Sequence, residues 1–206
     1  GGVYMYVPKY YQMKDYTKIK DFMMHNNFVT IITYDELKPL ATHLPVNIEE
    51  KDNTLYVSGH FAKANKQWKT IVSNEHILII FHGPHAYISS TWYEKEDVPT
   101  WDYQSIHAYG KRHLLSESEL IDDLTILLNK YESHRQNGAT WNNLSDQTKK
   151  QVKGIVGFKM EIEEIDAAYK LSQNRSDIDK KNIVSELNKS VNPVDTVLAK
   201  EIEDNK

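Results

Sequence analysis

The chain has 206 residues, of which 40% are hydrophobic and 26% charged, and its formal net charge at pH 7 is −4. This length and composition are typical of one globular domain with a substantial core, or of one domain with a small appendage. The net charge provides no overall field that would attract DNA or an anionic membrane, so such binding would need a local basic patch. Because there is no cysteine, disulfides, thiolate metal sites and cysteine nucleophiles are excluded. The sequence has no apolar run long enough to span a membrane, and it does not start with the basic segment followed by an apolar segment that is typical of a signal peptide. We therefore expect a cytoplasmic protein without a membrane partner.

The first part of the chain predicts a short helix followed by three strands. Residues 15–26 place apolar side chains on one helical face, and the β-branched, apolar residues 28–34 are typical of a buried strand. Residues 39–49 alternate between apolar and polar side chains, and Pro45 lacks a backbone donor, so we expect this strand to lie at an edge or to be bulged there. The sequence EKDN at 50–53 predicts a hairpin turn into the next strand.

The middle of the chain predicts a helix and then further strands. A short helix is expected over 65–72, followed by a central strand over 76–83. The pair Gly83-Pro84 is expected to break that strand, with extended structure resuming in HAYISSTWY. A further strand is expected to end at Gly110.

The last part of the chain contains two helix-start signals and one late strand. Ser116 and Glu119 form a capping-box pattern ahead of a leucine-rich helical face, and residues 154–165 alternate as a strand does. Ser176 is expected to begin a second helix, and the chain becomes polar from about Asn192.

These elements predict a mainly β protein with α-helices, of the α+β class. Several closely spaced strands, then a long helix and one late strand, do not form a βαβ series. They favour an antiparallel barrel with helices at its rim and a C-terminal helical tail. We expect one domain over residues 5–191 and a polar C-terminal tail over residues 192–206.

The sequence GHFAKANKQW, which begins at Gly59, is the first candidate site. It places His60, Lys63 and Asn65 where a strand is expected to give way to a helix. Such a junction offers backbone N–H groups and side-chain donors to an anion, and charged donors bind phosphate more strongly than neutral ones. The alternative is that Lys63 and Lys66 are solvated and that His60 lies in a hairpin, since no Walker or Rossmann glycine pattern is present.

Aromatic and histidine residues form the second candidate site. The segments FHGPHAYISSTWY and VPTWDYQSIHAYG supply flat surfaces with polar rims, which suit a planar cofactor or a nucleobase. The alternative is that these side chains fill the core of the barrel.

A metal site and a serine hydrolase site are both disfavoured by the sequence. Neighbouring strands can bring histidines together, but no H-x-x-x-H pair or carboxylate motif accompanies them, and we expect no metal. The histidines concerned are His43, His60, His82, His85 and His107. No G-x-S-x-G motif is present either.

Several segments taken together resemble the PaiB family of FMN-binding bacterial proteins. These segments are MYVPKYY, PLATHLP, GHFAKANKQW, FHGPHAYISSTWY, VPTWDYQSIHAYG, IVGFKMEIEEI and KLSQNR, and they extend in the family's order from about Met5 to about Arg175. The resemblance implies an FMN-binding split β-barrel of the flavin-reductase and pyridoxamine-phosphate-oxidase kind. It also implies a homodimer with the flavin in a cleft between subunits.

The same resemblance assigns ten residues to the cofactor site. Lys63 corresponds to the lysine that holds the FMN phosphate, with His60 and Asn65 beside it. The strand that lies along the isoalloxazine ring contributes Thr42, His43, Leu44 and Pro45. The strand that reaches the flavin near the dimer interface contributes Tyr87, Ser89 and Trp92.

The resemblance implies a negative regulator of transcription that acts on protease production and sporulation, as a flavin-dependent sensor or through a partner. The alternative is an FMN-dependent oxidoreductase, and the residues do not separate the two because flavin itself carries hydride chemistry. Direct DNA binding is disfavoured, since no helix-turn-helix or basic stripe is found. A dimer would have to assemble a patch from Lys111, Arg112, Lys149, Lys150 and Lys153.

Overall fold

The computed structural model describes residues 5–205 and contains six strands and six α-helices within them. The strands are β1 (Phe28–Tyr34), β2 (Pro39–Lys51), β3 (Thr54–Ala62), β4 (Leu78–Ile88), β5 (Thr100–Leu114) and β6 (Ile155–Lys170). The helices are α1 (Tyr16–His25), α2 (Thr70–Ser73), α3 (Glu117–Glu132), α4 (Asp146–Lys149), α5 (Asp177–Leu187) and α6 (Pro193–Asp204). Short 3₁₀ turns connect several of them, including Lys66–Lys69 after β3 and Ser90–Trp92 after β4.

The six strands form a closed barrel in the order β1-β2-β3-β6-β5-β4. The pairs β1–β2, β1–β4, β2–β3 and β3–β6 are all antiparallel, with Thr30 opposite His43 and Gly59 opposite Phe158. The late strand therefore returns to the barrel beside β3. This topology confirms the predicted α+β class and the antiparallel barrel.

The chain divides into two compact units. Unit 1 comprises residues 5–22, 82–106 and 166–205, and unit 2 comprises Met23–Phe81 and His107–Ile165. All six strands contribute to unit 2, and β4, β5 and β6 continue into unit 1. The predicted boundaries at 5–191 and 192–206 remain a prediction.

The core of unit 2 consists of the alternate, inward-facing residues of its strands. Phe61 and Phe158 pack with ring centres 5.5 Å apart, in the tilted arrangement that aromatic pairs favour. Apolar side chains that are at most 4% exposed surround them, and each contributes about 1.5–3 kcal/mol through burial. They include Val29, Ile31, Leu44, Val46, Val57, Ile79 and Met160.

Local sequence signals identified several turns and helix ends correctly. Asp52 and Asn53 both adopt positive φ angles, 52° and 61°, as a two-residue hairpin turn of this hand requires. Ser116 and Glu119 form the complete capping box of α3, and the hydroxyl of Ser176 accepts a hydrogen bond from Asp179 N at the start of α5.

The predicted break at Gly83-Pro84 is wrong, because β4 continues through both residues to Ile88. A Cβ atom on Gly83 would lie 2.6 Å from the ring of Phe22, so the glycine permits close packing by the side chain of α1 instead of interrupting the strand. The extended structure expected to follow ends at Ile88, and a 3₁₀ turn follows over Ser90–Trp92.

The predicted edge position is wrong for β2 as a whole but is confirmed locally, because Pro45 has a paired strand on one side only. Strand β2 has β1 on one side and β3 on the other. Pro45 is the last β2 residue opposite β1, and the ladder to β3 begins at Val46. A proline is accommodated in this interior strand because it lies where one ladder ends and the other begins.

Strand β5 continues past its predicted end at Gly110, to Leu114. A Cβ atom on Gly110 would lie 1.8 Å from the carbonyl oxygen of Glu161. Glycine is therefore required here because another backbone approaches closely, and it does not mark the end of the strand.

The expected polar tail contains a helix, α6, with three buried residues. Asn192 caps this helix and Pro193 occupies its first turn, while Leu198, Ala199 and Ile202 are at most 3% exposed. Glu201 accepts a hydrogen bond of 3.0 Å from Gln104 Nε2 on β5. These three buried residues lie on one helical face, which the polar composition of the segment concealed.

Among residues 5–205 there is no helix with the length and apolar character that crossing a membrane requires.

Candidate functional site

The turn after β3 carries Lys63, the predicted phosphate ligand. Asn65 N donates to Ala62 O at 2.9 Å, which closes a tight turn, and Lys63 N donates to Gly154 O at 2.8 Å. The Lys63 side chain is exposed, and within residues 5–205 its ammonium group has no hydrogen bond or ion-pair partner. Its charge is therefore available to an anion.

Asn65 is held in a network that fixes this turn to β2. Its Oδ1 accepts from Gln67 N at 3.1 Å, as a helix-capping side chain does, and its Nδ2 donates to Thr42 Oγ1 at 2.9 Å. Thr42 in turn donates to Gln67 Oε1 at 2.5 Å. Gln67 completes the network by donating to the carbonyl oxygens of Ile31 and Leu40. The network connects two predicted site segments, and Asn65 retains only one amide hydrogen for a ligand.

His60 is half-buried on the same face of β3 as Ser58, a face covered by α3. Its Nδ1 atom is buried and has no hydrogen-bond partner among the described residues. Burial lowers the pKa of His60, and the nearby Asp123 carboxylate only partly offsets this. The imidazole is therefore neutral at physiological pH, and its contribution to an anion site would be a hydrogen bond and not a charge.

The predicted ring-binding stretch of β2 presents an aromatic pair on its outer face. The rings of His43 and Phe28 stack with centres 6.4 Å apart and planes at 29°, and Phe28 is 65% exposed. Thr30 Oγ1 lies 2.9 Å from His43 Nδ1 and fixes the orientation of the imidazole. Leu44 faces the core at 4% exposure, and Pro45 is half-buried. The outer face of this stretch therefore offers a flat, partly apolar surface.

The other predicted site residues, Tyr87, Ser89 and Trp92, belong to unit 1. Tyr87 is 50% exposed and contacts the ring of Trp101 edge-on, with centres 6.0 Å apart. Ser89 caps the 3₁₀ turn by accepting from Thr91 N at 3.2 Å. Trp92 is half-buried, and its carbonyl oxygen accepts from Asn182 Nδ2 at 3.0 Å.

Two buried carboxylates were missed at the sequence level. Asp123 in unit 2 is 7% exposed, and Asp102 in unit 1 has no exposed surface. Both could have been found from the periodicity of the sequence. Asp123 lies on the apolar face of α3 between Leu120 and Leu127, and Asp102 belongs to the set of every second β5 residue that is buried. A carboxylate in a buried position of an apolar pattern indicates a specific partner or a site.

The remaining candidates from the sequence are the histidine set and the basic set. Residues 5–205 contain no group of three or more His, Asp or Glu side chains that could hold a metal ion. In the basic set, Lys111 pairs with Glu163 at 2.8 Å, and Arg112 Nε donates to Ile71 O at 3.0 Å.

Comparison with known proteins identifies the family. Residues 5–164 match the family described as "Putative FMN-binding domain". The chain is also 47% identical over 201 residues to the protein named "Protease synthase and sporulation protein PAI 2" of Bacillus subtilis strain 168, covering 97% of each chain. The chain belongs to the PaiB family. The resemblance inferred from the sequence is thereby confirmed.

Solved structures show that the PaiB fold is that of the split-barrel flavin proteins. The FAD and heme binding protein from Mycobacterium smegmatis superposes with a TM-score of 0.62 at 12% identity, covering 84% of this chain and 79% of that one. The flavocytochrome Anf3 from Azotobacter vinelandii gives a TM-score of 0.60 at 13% identity, covering 80% and 72%. At these identities the likeness establishes the fold alone.

Proposed function

We propose that this PaiB family protein binds FMN and acts as a negative regulator of transcription, either as a flavin-dependent sensor or through a partner. The match of residues 5–164 to an FMN-binding domain family carries the flavin assignment. The regulatory part rests on the name of the Bacillus subtilis relative, which refers to protease synthesis and sporulation.

Lys63 is the proposed cation for the FMN phosphate. Its ammonium is exposed and has no partner within residues 5–205, and it projects from a turn that backbone hydrogen bonds hold in place. A phosphate dianion gains most from a charged donor, and Lys63 provides one without breaking an existing ion pair. His60 and Asn65 are proposed as hydrogen-bond donors, with His60 neutral.

The isoalloxazine ring is proposed to lie along Thr42, His43, Leu44 and Pro45. The exposed Phe28–His43 pair offers the flat surface that a planar ring requires. Thr42, which is bonded to the turn through Asn65, precedes His43 on β2, so both proposed positions involve the same stretch of this strand, with the two side chains on opposite faces. When bound, the flavin would supply hydride and electron transfer, while these residues would bind and orient it.

A homodimer is proposed as the working form, with Tyr87, Ser89 and Trp92 near the partner subunit and the flavin. The half-exposed ring of Tyr87 supports this, because aromatic side chains are enriched in the cores of protein interfaces. Sedimentation at micromolar concentration is expected to give a dimer, and a monomer would contradict the cleft model.

The deciding experiment is flavin loading of the purified protein. We expect FMN added to the protein to remain bound through gel filtration and to give a shifted flavin absorbance spectrum. Repression of the target genes in cells should then be lost in a variant that retains no flavin, whether the protein acts alone or through a partner. Anaerobic titration with NADH and NADPH distinguishes a regulator from an oxidoreductase, because rapid catalytic oxidation of either nucleotide would indicate an oxidoreductase. No retained flavin under any condition would overturn the proposal.

A further inference from the structure

Unit 2 brings together two 3₁₀ turns that carry lysines. The turn Lys66–Lys69 follows β3, and the turn Lys150–Gly154 leads into β6. Just beyond the last paired residues of these two strands, Lys63 N donates to Gly154 O at 2.8 Å. Two segments that are about 90 positions apart in the sequence therefore form one surface at this end of β3 and β6.

Each turn presents two lysines to solvent. Side chains at i and i+3 of a 3₁₀ turn lie on the same side, and both turns carry lysines with this spacing. These four lysines are exposed, whereas Gln67, on the inner side of the first turn, is 4% exposed. A half-buried lysine at the end of α4 adds a fifth cation. The lysine surface defined in this way consists of Lys66, Lys69, Lys149, Lys150 and Lys153.

No carboxylate of the described chain pairs with the lysine surface. Within residues 5–205 none of its five ammonium groups forms an ion pair. The side chains of Lys69 and Lys149 have ring contacts instead, with their ammonium groups 5.9 Å from the ring centres of Trp68 and Trp141. These cations are therefore available to an anion without the loss of an existing ion pair.

The sequence around both turns is free of acidic residues. Residues 54–74 and residues 147–160 contain no Asp or Glu, and Asp146 directly precedes the second run. The whole chain has a net charge of −4, so the lysine surface is a local reversal of the overall charge. The sequence analysis grouped the second run with Lys111 and Arg112, because it could not show that the two runs meet.

The lysine surface carries more charge than the flavin phosphate requires. Lys63, which adjoins the surface, is the proposed cation for that phosphate, and a phosphate monoester carries at most two negative charges at pH 7. Five further cations spread over two turns are suited to a ligand with several phosphates, such as a nucleic-acid backbone.

The apolar residues of the two turns disfavour a membrane as the partner. Trp68 and Val152 are half-buried, and Trp68 Nε1 donates to the carbonyl oxygen of Lys63 at 3.1 Å. Neither turn therefore has an exposed apolar side chain that could insert between lipids, as stable attachment to a membrane surface requires.

We propose that the lysine surface binds the phosphate backbone of duplex DNA without reading its sequence. The choice of DNA among polyanions rests on the proposed regulatory function, to which this contact adds a direct route. The helices next to the surface, α2 and α4, have four residues each and are too short to read base edges in a groove. Contacts with phosphates fix position on DNA but carry no sequence information, so selection of target genes falls to a partner.

Fluorescence anisotropy with a labelled duplex of about 20 base pairs and arbitrary sequence measures this binding. We expect a Kd on the order of 1–10 µM at about 50 mM NaCl, and a loss of about a hundredfold in affinity between about 50 and 200 mM NaCl. A loss of this size corresponds to about four phosphate contacts. A second duplex of unrelated sequence should bind within about threefold of the first.

Variants of each turn test whether the two lysine pairs act as one surface. Lys150→Gln combined with Lys153→Gln should weaken DNA binding at least tenfold at about 50 mM NaCl and reduce the salt slope by about 2. Lys66→Gln combined with Lys69→Gln should have the same effect, because the second pair belongs to the same surface.

The matched control is Lys181→Gln combined with Lys200→Gln. It removes the same charge from exposed positions of α5 and α6 in unit 1. DNA affinity should change by less than about threefold, with the salt slope preserved.

Flavin binding by the same variants separates this proposal from the flavin assignment. Lys63 is intact in all of them, so FMN affinity should stay within about twofold of the parent value. Loss of FMN affinity together with DNA affinity would assign the lysines to the flavin phosphate and overturn the DNA proposal. If the protein retains no flavin but binds DNA as expected, only the flavin assignment fails.

Three further results would overturn the proposal. The first is no binding of either duplex at about 50 mM NaCl, and the second is a salt slope that either lysine pair leaves unchanged. The third is an equal loss of affinity in the control, which would reflect net charge alone. Binding to phosphatidylglycerol vesicles without binding to DNA would assign the surface to a membrane instead.

Discussion

The Ser172 hydroxyl donates a hydrogen bond of 2.5 Å to Oδ2 of Asp102, a carboxylate with no exposed surface. The other oxygen of Asp102 is buried and has no partner among the described residues. Burial raises the pKa of Asp102 to about 6, although Ser172 and the cations of Lys170 and Arg175 oppose this shift. Unit 1 therefore contains an acid whose ionised form is disfavoured by folding.

Asp102→Asn is expected to stabilise the protein at pH 7.5 and to remove a pH dependence. Between about pH 4 and pH 6 the folded state binds more protons than the unfolded chain, so the free energy of unfolding falls as pH rises. The full penalty, about 3 kcal/mol for a shift of this size, is present above pH 6. Asparagine still accepts from Ser172, so we expect a gain of about 1–3 kcal/mol at pH 7.5 in urea unfolding, and little gain at pH 4.

The matched control for this prediction is Asp52→Asn, on the exposed hairpin turn. Asparagine tolerates the positive φ of that position, so the free energy of unfolding should change by less than about 0.5 kcal/mol at either pH. A parent protein whose stability rises from pH 4 to pH 7 with the slope unchanged in Asp102→Asn would contradict the assignment.

Arg175→Lys is expected to destabilise unit 1. The guanidinium carbon of Arg175 lies 3.9 Å from the ring centre of Tyr93, and its Nη1 donates to Asp97 at 2.6 Å. Lysine retains the charge but loses the planar stack, which should cost about 1–2 kcal/mol in chemical unfolding. Arg135→Lys is the control, since Arg135 is exposed and lies 3.8 Å from Glu132, and a change near zero is expected there. Equal costs in the two variants would indicate that the stack contributes nothing.

Lys63→Ala is expected to weaken FMN far more than riboflavin, which lacks the phosphate. Loss of one charge-assisted contact should cost about 1.5–3 kcal/mol, or roughly ten- to hundredfold in affinity. Lys66→Ala should do little, because Lys66 is exposed and follows the turn. Flavin fluorescence titrations of both variants with both ligands measure the difference. If Lys63→Ala changes FMN and riboflavin affinity equally, or changes neither, the phosphate is held elsewhere.

Gly110→Ala and Gly154→Ala should have opposite effects on stability. A Cβ atom on Gly110 would lie 1.8 Å from Glu161 O, and a backbone atom cannot move aside without distorting β6. We expect a loss of about 2–4 kcal/mol or failure to fold. At Gly154 a Cβ atom meets nothing within 4 Å, so alanine should be neutral or stabilising by up to about 1 kcal/mol. Thermal unfolding of the two variants measures both effects. A Gly110→Ala variant as stable as the parent would show that β5 and β6 can move apart to accept the extra methyl group.

The sequence predicted features that depend on neighbouring residues and missed those that depend on distant ones. The Asp52–Asn53 turn and the Ser116 cap follow from local backbone chemistry. Gly83 lies within β4 where the ring of Phe22, about 60 positions away in sequence, leaves no room for a side chain, and no local pattern reveals that contact.

The candidate site shows the same division between local and distant information. Lys63 was proposed because a charged residue after a strand is visible in the sequence, and its role in the site remains a prediction. The capping role of Asn65 and its bond to Thr42 depend on how the turn meets β2. The hydrogen bonds of Asp123 to Asn47 and Ser58 form only when α3 packs on strands that precede it by more than 60 residues.

The closure of the barrel constrains how the chain folds during synthesis. Gly59 pairs with Phe158, about 100 residues later, so β3 has one unpaired edge until β6 has left the ribosome. Such an edge can recruit strands from other chains, and nascent copies are exposed to misassembly during that interval. Slowing translation between β5 and β6, or truncating the chain before Ile155, should therefore yield aggregates. Expression at lower temperature or with additional chaperones should increase the yield of closed barrels.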